Sequence, residues 1–149
     1  MWKFSQHSLF TQAEQGRGLD HTLTIKIPMK SRKSILIVDD DQDVLLFLGD
    51  RLNALGYDVL TASNGQDGLE VLQSQSVDGV LLDLNMPVMG GIALLEKLGI
   101  SSTNPPVIIM SAAEHRSEIL QAILKGAMDF LVKPITQDEL TSKCFRLFQ

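Results

Sequence analysis

Residues 35–41 read Ile-Leu-Ile-Val-Asp-Asp-Asp, and residues 80–83 read Val-Leu-Leu-Asp. Each apolar run is typical of a strand buried on both faces, in which a charge is tolerated only where the strand emerges. If the two strands are neighbours in a sheet, the carboxylates that follow them converge at one edge. Because unpaired carboxylates repel each other, this edge is predicted to hold a divalent cation, with one carboxylate left to do chemistry.

Strand and helix patterns alternate from residue 34 onward. Short apolar runs predict strands, and apolar spacings of three and four predict helices. The alternation predicts an α/β fold, a doubly wound parallel sheet of five strands with helices on both faces and right-handed crossovers. The predicted strands cover residues 35–38, 57–62, 79–82, 107–110 and 130–132, and the predicted helices cover residues 44–55, 64–73, 92–98, 118–125 and 137–148.

Local signals mark the ends of the first two helices. Asp41 or Asp43 is the predicted N-cap of the first helix, and Gly56 is predicted to end it. Asn64 is predicted to cap the second helix. Within that helix, Gly68 is expected to allow close packing against the sheet.

Polar side chains follow four of the five predicted strands. Asp39 and Asp40 follow the first strand, Asp83 the third, Ser111 the fourth and Lys133 the fifth. In open parallel sheets, ligands bind outside the carboxyl ends of the strands, where the strand order reverses. These side chains are therefore predicted to share one site.

Composition and charge exclude several classes of protein. The 149-residue chain is 44% hydrophobic and 21% charged, as in ordinary globular domains. No apolar stretch approaches the roughly 20 residues of a membrane helix, and the N-terminus lacks a secretory signal pattern. Residues 35–149 carry seven Lys and Arg against sixteen Asp and Glu, which argues against direct nucleic-acid binding. Cys144 is the only cysteine, and it is expected to be a packing residue. A cytoplasmic location is expected.

Four stretches together resemble the receiver domain of bacterial response regulators, the CheY-like family. They are ILIVDDD at 35–41, VLLDLNMPVMGG at 80–91, VIIMSA at 107–112 and GAMDFLVKP at 126–134. The resemblance covers residues 34–149 and implies a flavodoxin-like (βα)5 fold with strand order 2-1-3-4-5. It also implies a module of two-component or phosphorelay signalling that accepts a phosphoryl group and switches a protein-interaction face.

The resemblance implies a magnesium site built on the acidic residues. Asp39 and Asp40 look like the acidic pair that holds Mg²⁺, together with Asp83 and the backbone carbonyl of Asn85. A few carboxylates, one carbonyl and waters suit the octahedral geometry that this cation demands.

The resemblance also implies roles in phosphoryl transfer. Asp83 looks like the phosphoacceptor, which attacks the phosphorus of a phosphohistidine and forms an acyl phosphate. Lys133 looks like the lysine that pairs with Asp83 and then with the phosphoryl group, and Ser111 like the hydroxyl that donates to a phosphoryl oxygen. Phe130 occupies the position of the family's switch aromatic. An equal alternative is that its ring is a static part of the core.

The implied upstream partner is a histidine kinase or a histidine phosphotransfer protein, and the downstream partner is a protein target. Phosphorylation from a phosphodonor and autodephosphorylation are the only reactions expected, so the chain is not predicted to be an enzyme in the usual sense. Because the chain ends at Gln149, output is expected through a partner protein or through onward transfer of phosphate. No contact with membrane or nucleic acid is expected.

Two rival functions share part of this pattern. A Mg²⁺-dependent phosphatase with an aspartate nucleophile usually has a second Asp two residues later as general acid, where this chain has Asn85. A receiver-fold adaptor that never carries phosphate has no need of Asp83, Ser111 and Lys133 together. Three histidines show no metal or catalytic spacing and are expected at the surface: His7, His21 and His115.

The first 33 residues are predicted to form an extension outside the receiver. Residues 22–27 alternate between polar and apolar side chains, which predicts a strand. Residues 11–28, with a Glu-x-Gly-x-Gly turn, resemble the last hairpin of a histidine-kinase ATPase domain, as a fragment of a hybrid kinase or by chance. Because an isolated hairpin is marginally stable in water, residues 1–32 are predicted to be mobile or loosely docked.

Overall fold

The computed structural model describes residues 5–11 and 23–149 of the chain, and it describes side chains from residue 30 onward. The chain divides into two compact units, Met1–Arg32 and Lys33–Gln149. None of the helices in the described ranges has the length and apolar character needed to cross a bilayer.

The first unit contains a two-stranded antiparallel sheet. Strand β1 (Ser5–Thr11) pairs with strand β2 (Leu23–Met29) along its whole length, with Ser5 opposite Met29. Most of the alternating stretch predicted as a strand lies in β2. The Glu-x-Gly-x-Gly turn lies outside the described residues, and the mobility of this extension stays a prediction.

The second unit contains a parallel sheet of five strands. They are β3 (Ser34–Val38), β4 (Asp58–Ala62), β5 (Gly79–Asp83), β6 (Val107–Ala112) and β7 (Asp129–Lys133). Their spatial order is β4-β3-β5-β6-β7, which is 2-1-3-4-5 when the five strands are numbered along the chain. The predicted doubly wound fold is therefore confirmed. The order reverses between β3 and β5, so the crevice that binds ligands in such sheets opens at their carboxyl ends.

One helix follows each strand of this sheet. They are α1 (Gln42–Ala54), α2 (Gly65–Ser74), α3 (Gly91–Leu98), α4 (Arg116–Leu124) and α5 (Gln137–Arg146). Every predicted element of this unit is present, and the ends differ from the predicted ones by at most two residues. Differences of this size are usual at helix ends, which fray.

Side-chain caps account for the starts of the first two helices. The carboxylate of Asp41 accepts a hydrogen bond from the amide of Asp43 at 2.9 Å, so Asp41 is the N-cap of α1. Gly56, with φ of 95°, follows the end of α1. Asn64 accepts from the amide of Asp67 at 2.8 Å and caps α2. Each cap satisfies an amide that has no partner within its helix.

Two apolar layers cover the two faces of the sheet. Successive residues of a strand point to opposite faces, so each strand contributes to both layers. Cys144 of α5 is buried in one of them, as predicted for a packing residue, and burial raises its pKa to about 12. The fully buried strand residues are Leu36, Val38, Val80, Leu82 and Ile109 on one face and Ile35, Ile37, Leu81, Ile108 and Met110 on the other.

Two helical glycines differ in the space around them. A Cβ atom on Gly68 of α2 would lie 3.1 Å from Cγ2 of Val38, so this glycine allows the close packing of helix on sheet that was predicted. A Cβ atom on Gly49 of α1 would lie 3.8 Å from Cγ1 of Val59, which is an ordinary contact. Of these two glycines, only Gly68 therefore needs to be without a side chain.

Candidate functional site

Three carboxylates meet at the carboxyl edge of the sheet. Asp83 ends β5, and Asp39 directly follows β3, in which Val38 is paired with Leu82 of β5. The parallel register therefore places Asp39 and Asp83 at the same level. One carboxylate oxygen from each of Asp39, Asp40 and Asp83 lies within 4.8 Å of the others. Asp39 is fully buried and Asp83 is 6% exposed, while Asp40 faces solvent.

One lysine pairs with both buried carboxylates. Nζ of Lys133, at the end of β7, lies 2.7 Å from Oδ2 of Asp39 and 3.4 Å from Oδ1 of Asp83. Burial lowers the pKa of Lys133, but the hydrogen bond to Asp39 and the two negative charges outweigh burial, so the net shift is upward. Oδ1 of Asp39 accepts from the amide of Asp41 at 2.9 Å. Both oxygens of Asp39 therefore have partners.

The surroundings of Asp83 favour the protonated form of its carboxyl group. Burial, followed by the neighbouring charge of Asp39, raises the pKa of Asp83 to about 6. The charge and hydrogen bond of Lys133 and the amide of Asn85 oppose this shift without cancelling it. One ammonium does not neutralise three carboxylates, so the site keeps excess negative charge that suits a cation.

A buried hydroxyl stands beside these carboxylates. Ser111 is 1% exposed and lies on β6, one residue beyond Met110, which is paired with Asp83 of β5. Its Oγ atom has no hydrogen-bond partner among the described residues. Because an unpaired buried hydroxyl costs about 1–3 kcal/mol, a group bound at this edge that accepts a hydrogen bond from Ser111 would remove that cost.

The loop after β5 is held close to the site by glycine. The amide of Gly91 donates to the carbonyl of Leu84 at 3.0 Å. A Cβ atom on Gly91 would collide with the backbone carbonyl oxygen of Asp83. The amide of Gly65, at the start of α2, donates to the carbonyl of Met89 at 2.8 Å and anchors the far side of the loop. These contacts fix how closely the loop approaches the backbone of Asp83.

A family model described as the response regulator receiver domain matches residues 35–145. The chain belongs to this family. The family and the signalling class predicted from the sequence are thereby confirmed. Members of this family accept phosphoryl groups, and no classical catalytic activity is assigned to the receiver domain.

Relatives of this receiver domain include regulators of transcription. The chain is 40% identical over 106 residues to the transcriptional regulatory protein GlrR of Escherichia coli (strain K12), a match that covers 71% of this chain and 24% of GlrR. It is 35% identical over 109 residues to the transcriptional regulatory protein PrrA of Mycobacterium tuberculosis, covering 73% of this chain and 47% of PrrA. The chain thus spans less than half the length of these relatives.

Solved structures resemble the receiver domain over nearly their whole length. The chemotaxis response regulator CheY4 of Vibrio cholerae matches with a TM-score of 0.72 and 26% identity, over 78% of this chain and 99% of CheY4. The receiver domain of the Francisella response regulator 1452 matches with a TM-score of 0.72 and 30% identity, over 78% of this chain and 97% of that domain.

A hydrogen bond between the loop after β5 and the start of α4 was not predicted. Nδ2 of Asn85, on the loop after β5, lies 3.0 Å from Nδ1 of His115, at the start of α4. His115 is half-buried, and its hydrogen bond with Asn85 lies at the surface, as predicted for this histidine. The two residues are 30 positions apart, and no spacing in the sequence relates them. The predicted role of the Asn85 carbonyl as a metal ligand stays a prediction.

Phe130 of the receiver domain does not belong to the core. Its side chain is 39% exposed, and Nζ of Lys143 lies 4.8 Å from the centroid of its ring. The same ammonium donates to the backbone carbonyl of Phe130 at 2.6 Å. Sequence reasoning missed Lys143, because a lysine on the polar side of an amphipathic helix carries no local sign of its partner.

Proposed function

We propose that Asp83 accepts a phosphoryl group from a phosphohistidine of a histidine kinase or histidine phosphotransfer protein. The observation that carries the proposal is the buried Ser111 hydroxyl, which has no hydrogen-bond partner among the described residues. It lies on the strand next to Asp83, where a phosphoryl oxygen on that carboxylate can accept a hydrogen bond from it.

Asp83 supplies the nucleophile of the proposed reaction. With a pKa of about 6, its carboxylate is mainly ionised at neutral pH. A carboxylate oxygen forms a bond to phosphorus while the phosphorus–nitrogen bond of the phosphohistidine breaks, and the electron pair of that bond stays on the imidazole. Lys133, 3.4 Å from Asp83, supplies a positive charge beside the incoming group.

The residues at the site fit a magnesium ion. Carboxylate oxygens of Asp39, Asp40 and Asp83 lie within 4.8 Å of one another, and hard oxygen ligands of this kind suit Mg²⁺. We propose that these residues and the backbone carbonyl of Asn85 hold the ion. When bound, Mg²⁺ neutralises the carboxylate cluster and stabilises negative charge on the phosphoryl oxygens.

Phosphorylation is proposed to change a surface rather than to drive turnover. Movement of Ser111 toward a phosphoryl group on Asp83 would shift a pre-existing equilibrium of the face formed by α4, β7 and α5, on which Phe130 is the proposed switch aromatic. The excess of acidic side chains in residues 35–149 favours output through a protein partner, without direct contact to nucleic acid. A cytoplasmic location is also proposed. Autodephosphorylation of Asp83 is proposed to end the signal.

We also propose that residues 1–33 form an extension separate from a receiver domain at residues 34–149. The antiparallel pairing of β1 with β2 supports the interpretation of the extension as the last hairpin of a histidine-kinase ATPase domain. A kinase fragment of this kind would make the chain part of a hybrid kinase.

The test is incubation with acetyl phosphate or phosphoramidate and Mg²⁺, followed by intact mass measurement. The unaltered chain is expected to gain one phosphoryl group, and Asp83→Asn is expected to gain none. Asp43→Asn, an exposed carboxylate of α1 outside the cluster, is the matched control and is expected to be phosphorylated normally. Mg²⁺ binding without an adduct would instead indicate an adaptor, and continuous hydrolysis of phosphomonoesters would indicate a phosphatase.

A further inference from the structure

Lys143 of α5 makes three contacts with two adjacent residues of β7. Its Nζ atom lies 2.9 Å from Oδ1 of Asp129 and 2.6 Å from the carbonyl oxygen of Phe130. The same atom lies 4.8 Å from the centroid of the Phe130 ring, within the range of a cation–π contact. One ammonium therefore holds both the backbone and the ring of Phe130.

The ammonium is held in place independently of the ring. The Lys143 and Asp129 side chains are 24% and 17% exposed, so their ion pair is partly shielded from water. Burial raises the pKa of Asp129, but the hydrogen bonds from Lys143 and from the amide of Phe130 outweigh it, so the pKa is lowered. If the ring of Phe130 turned away, Lys143 would keep its two oxygen partners and lose only the aromatic contact.

The ring of Phe130 is partly exposed and makes no hydrogen bond of its own. It is 39% exposed, and a phenylalanine has no hydroxyl that could anchor it by a hydrogen bond. Phe130 is paired with Ile109 of β6, and Ser111 lies two residues further along the same strand, paired with Val132. A shift of Ser111 toward Asp83 therefore acts on the strand that carries this ring.

We propose that Lys143 is a positioning residue that holds Phe130 in its outward, half-exposed arrangement and so opposes the change that phosphorylation favours. This inference rests on the proposed function and specifies how the same site is regulated. Removal of the Lys143 ammonium is expected to shift the equilibrium of Phe130 toward the arrangement that phosphorylation favours. The shift should be about two- to fivefold, the factor that corresponds to a cation–π contact at a partly exposed position.

The test compares Lys143→Gln with Arg146→Gln in the full chain. Both variants remove one positive charge from α5 that faces Asp129, since Nη1 of Arg146 lies 3.5 Å from Oδ2 of that carboxylate. Among the described residues, only Lys143 has a cation–π contact with Phe130. The first measurement is the χ1 rotamer population of Phe130 in unphosphorylated, isotope-labelled protein, from three-bond couplings. We expect Lys143→Gln to lower the population of the outward rotamer and Arg146→Gln to leave it unchanged.

The second measurement is the affinity for beryllofluoride with Mg²⁺, a mimic of the phosphoryl group. We expect Lys143→Gln to bind it about two- to fivefold more tightly than the unaltered chain, and Arg146→Gln to bind it equally. In a Phe130→Leu background, which has no ring, Lys143→Gln should bring no gain.

Three results would overturn the inference. They are equal rotamer populations in Lys143→Gln and the unaltered chain, equal gains in affinity for both variants, and a gain that persists with Leu at position 130. If the unaltered chain does not bind beryllofluoride, the proposed function fails instead. The rotamer populations, which need no phosphoryl mimic, then still decide whether Lys143 positions Phe130.

Discussion

Lys133 donates a hydrogen bond to Asp39 at 2.7 Å, although the two residues are 94 positions apart. Its distance from Asp83 is longer, at 3.4 Å. The ammonium therefore compensates mainly the fully buried Asp39 and leaves the Asp83 carboxylate with a raised pKa. The two carboxylates therefore differ in role. Asp39 is the main partner of Lys133, and Asp83 is the candidate nucleophile.

Lys133→Met is expected to destabilise the protein, because it leaves the buried Asp39 charge without its cation. We expect a loss of about 2 kcal/mol, below the roughly 3–5 kcal/mol of a fully buried pair, because the Lys133 side chain is 29% exposed. The control is Lys125→Met, which breaks an exposed pair with Glu96 and should cost less than about 1 kcal/mol. The free energy of unfolding is measured in urea at pH 7. An equal loss in Lys133→Met and Lys125→Met would contradict the compensation of the Asp39 charge by Lys133.

Asp83→Asn is expected to stabilise the protein at neutral pH. The pKa of Asp83 is raised to about 6, above the roughly 3.9 of an unfolded chain. The folded protein therefore holds more protons than the unfolded chain between about pH 4 and 6, and stability falls as the pH rises through this window. Partial solvent screening reduces the full linkage value, so we expect a gain of about 1–2 kcal/mol at pH 7.

The gain from Asp83→Asn should shrink as the pH falls through about 4 and should approach zero below about pH 3, where Asp83 is protonated in both states. Chemical unfolding across this range, with a chelator present, measures it. Asp50→Asn, an exposed carboxylate of α1, serves as the control. A gain that is the same at every pH would rule out a raised pKa as its source.

Mg²⁺ is expected to stabilise the protein at pH 7.5, since its proposed site is a carboxylate cluster that only the folded chain assembles. A concentration one hundred times the Kd should add about 2.7 kcal/mol to the free energy of unfolding. Asp39→Asn should lose most of this gain, and Asp43→Asn should keep it. Because protons compete at Asp83, the gain should also weaken below about pH 6. Thermal unfolding with and without MgCl₂ measures each effect.

Gly91→Ala and Gly49→Ala are expected to change stability in opposite directions. A methyl group at position 91 would meet the carbonyl oxygen of Asp83, so we expect a loss of about 1–3 kcal/mol. A methyl group at position 49 would lie 3.8 Å from Val59, so the better helix propensity of alanine should add about 0.5–1 kcal/mol. Midpoints of guanidinium unfolding measure both effects. If Gly91→Ala is as stable as the unaltered chain, the loop after β5 can shift to accommodate the methyl group.

Much of the fold could be predicted because it depends on local pattern. A strand buried on both faces needs a continuous apolar run, and the runs ending at Val38 and Leu82 predicted β3 and β5. Two helix starts carry side-chain caps that the sequence predicted, at Asp41 and Asn64. The candidate site was also predictable in outline, since carboxyl ends of parallel strands share one edge.

The sequence by itself determined which residues reach that edge, and only the tertiary structure decided how they are paired. Lys133 lies closer to Asp39 than to Asp83, Asn85 lies 3.0 Å from His115, and Lys143 holds Phe130. Each of these pairings joins side chains from different elements. Their distances depend on strand register, helix docking and side-chain reach, which a pattern along the chain does not contain.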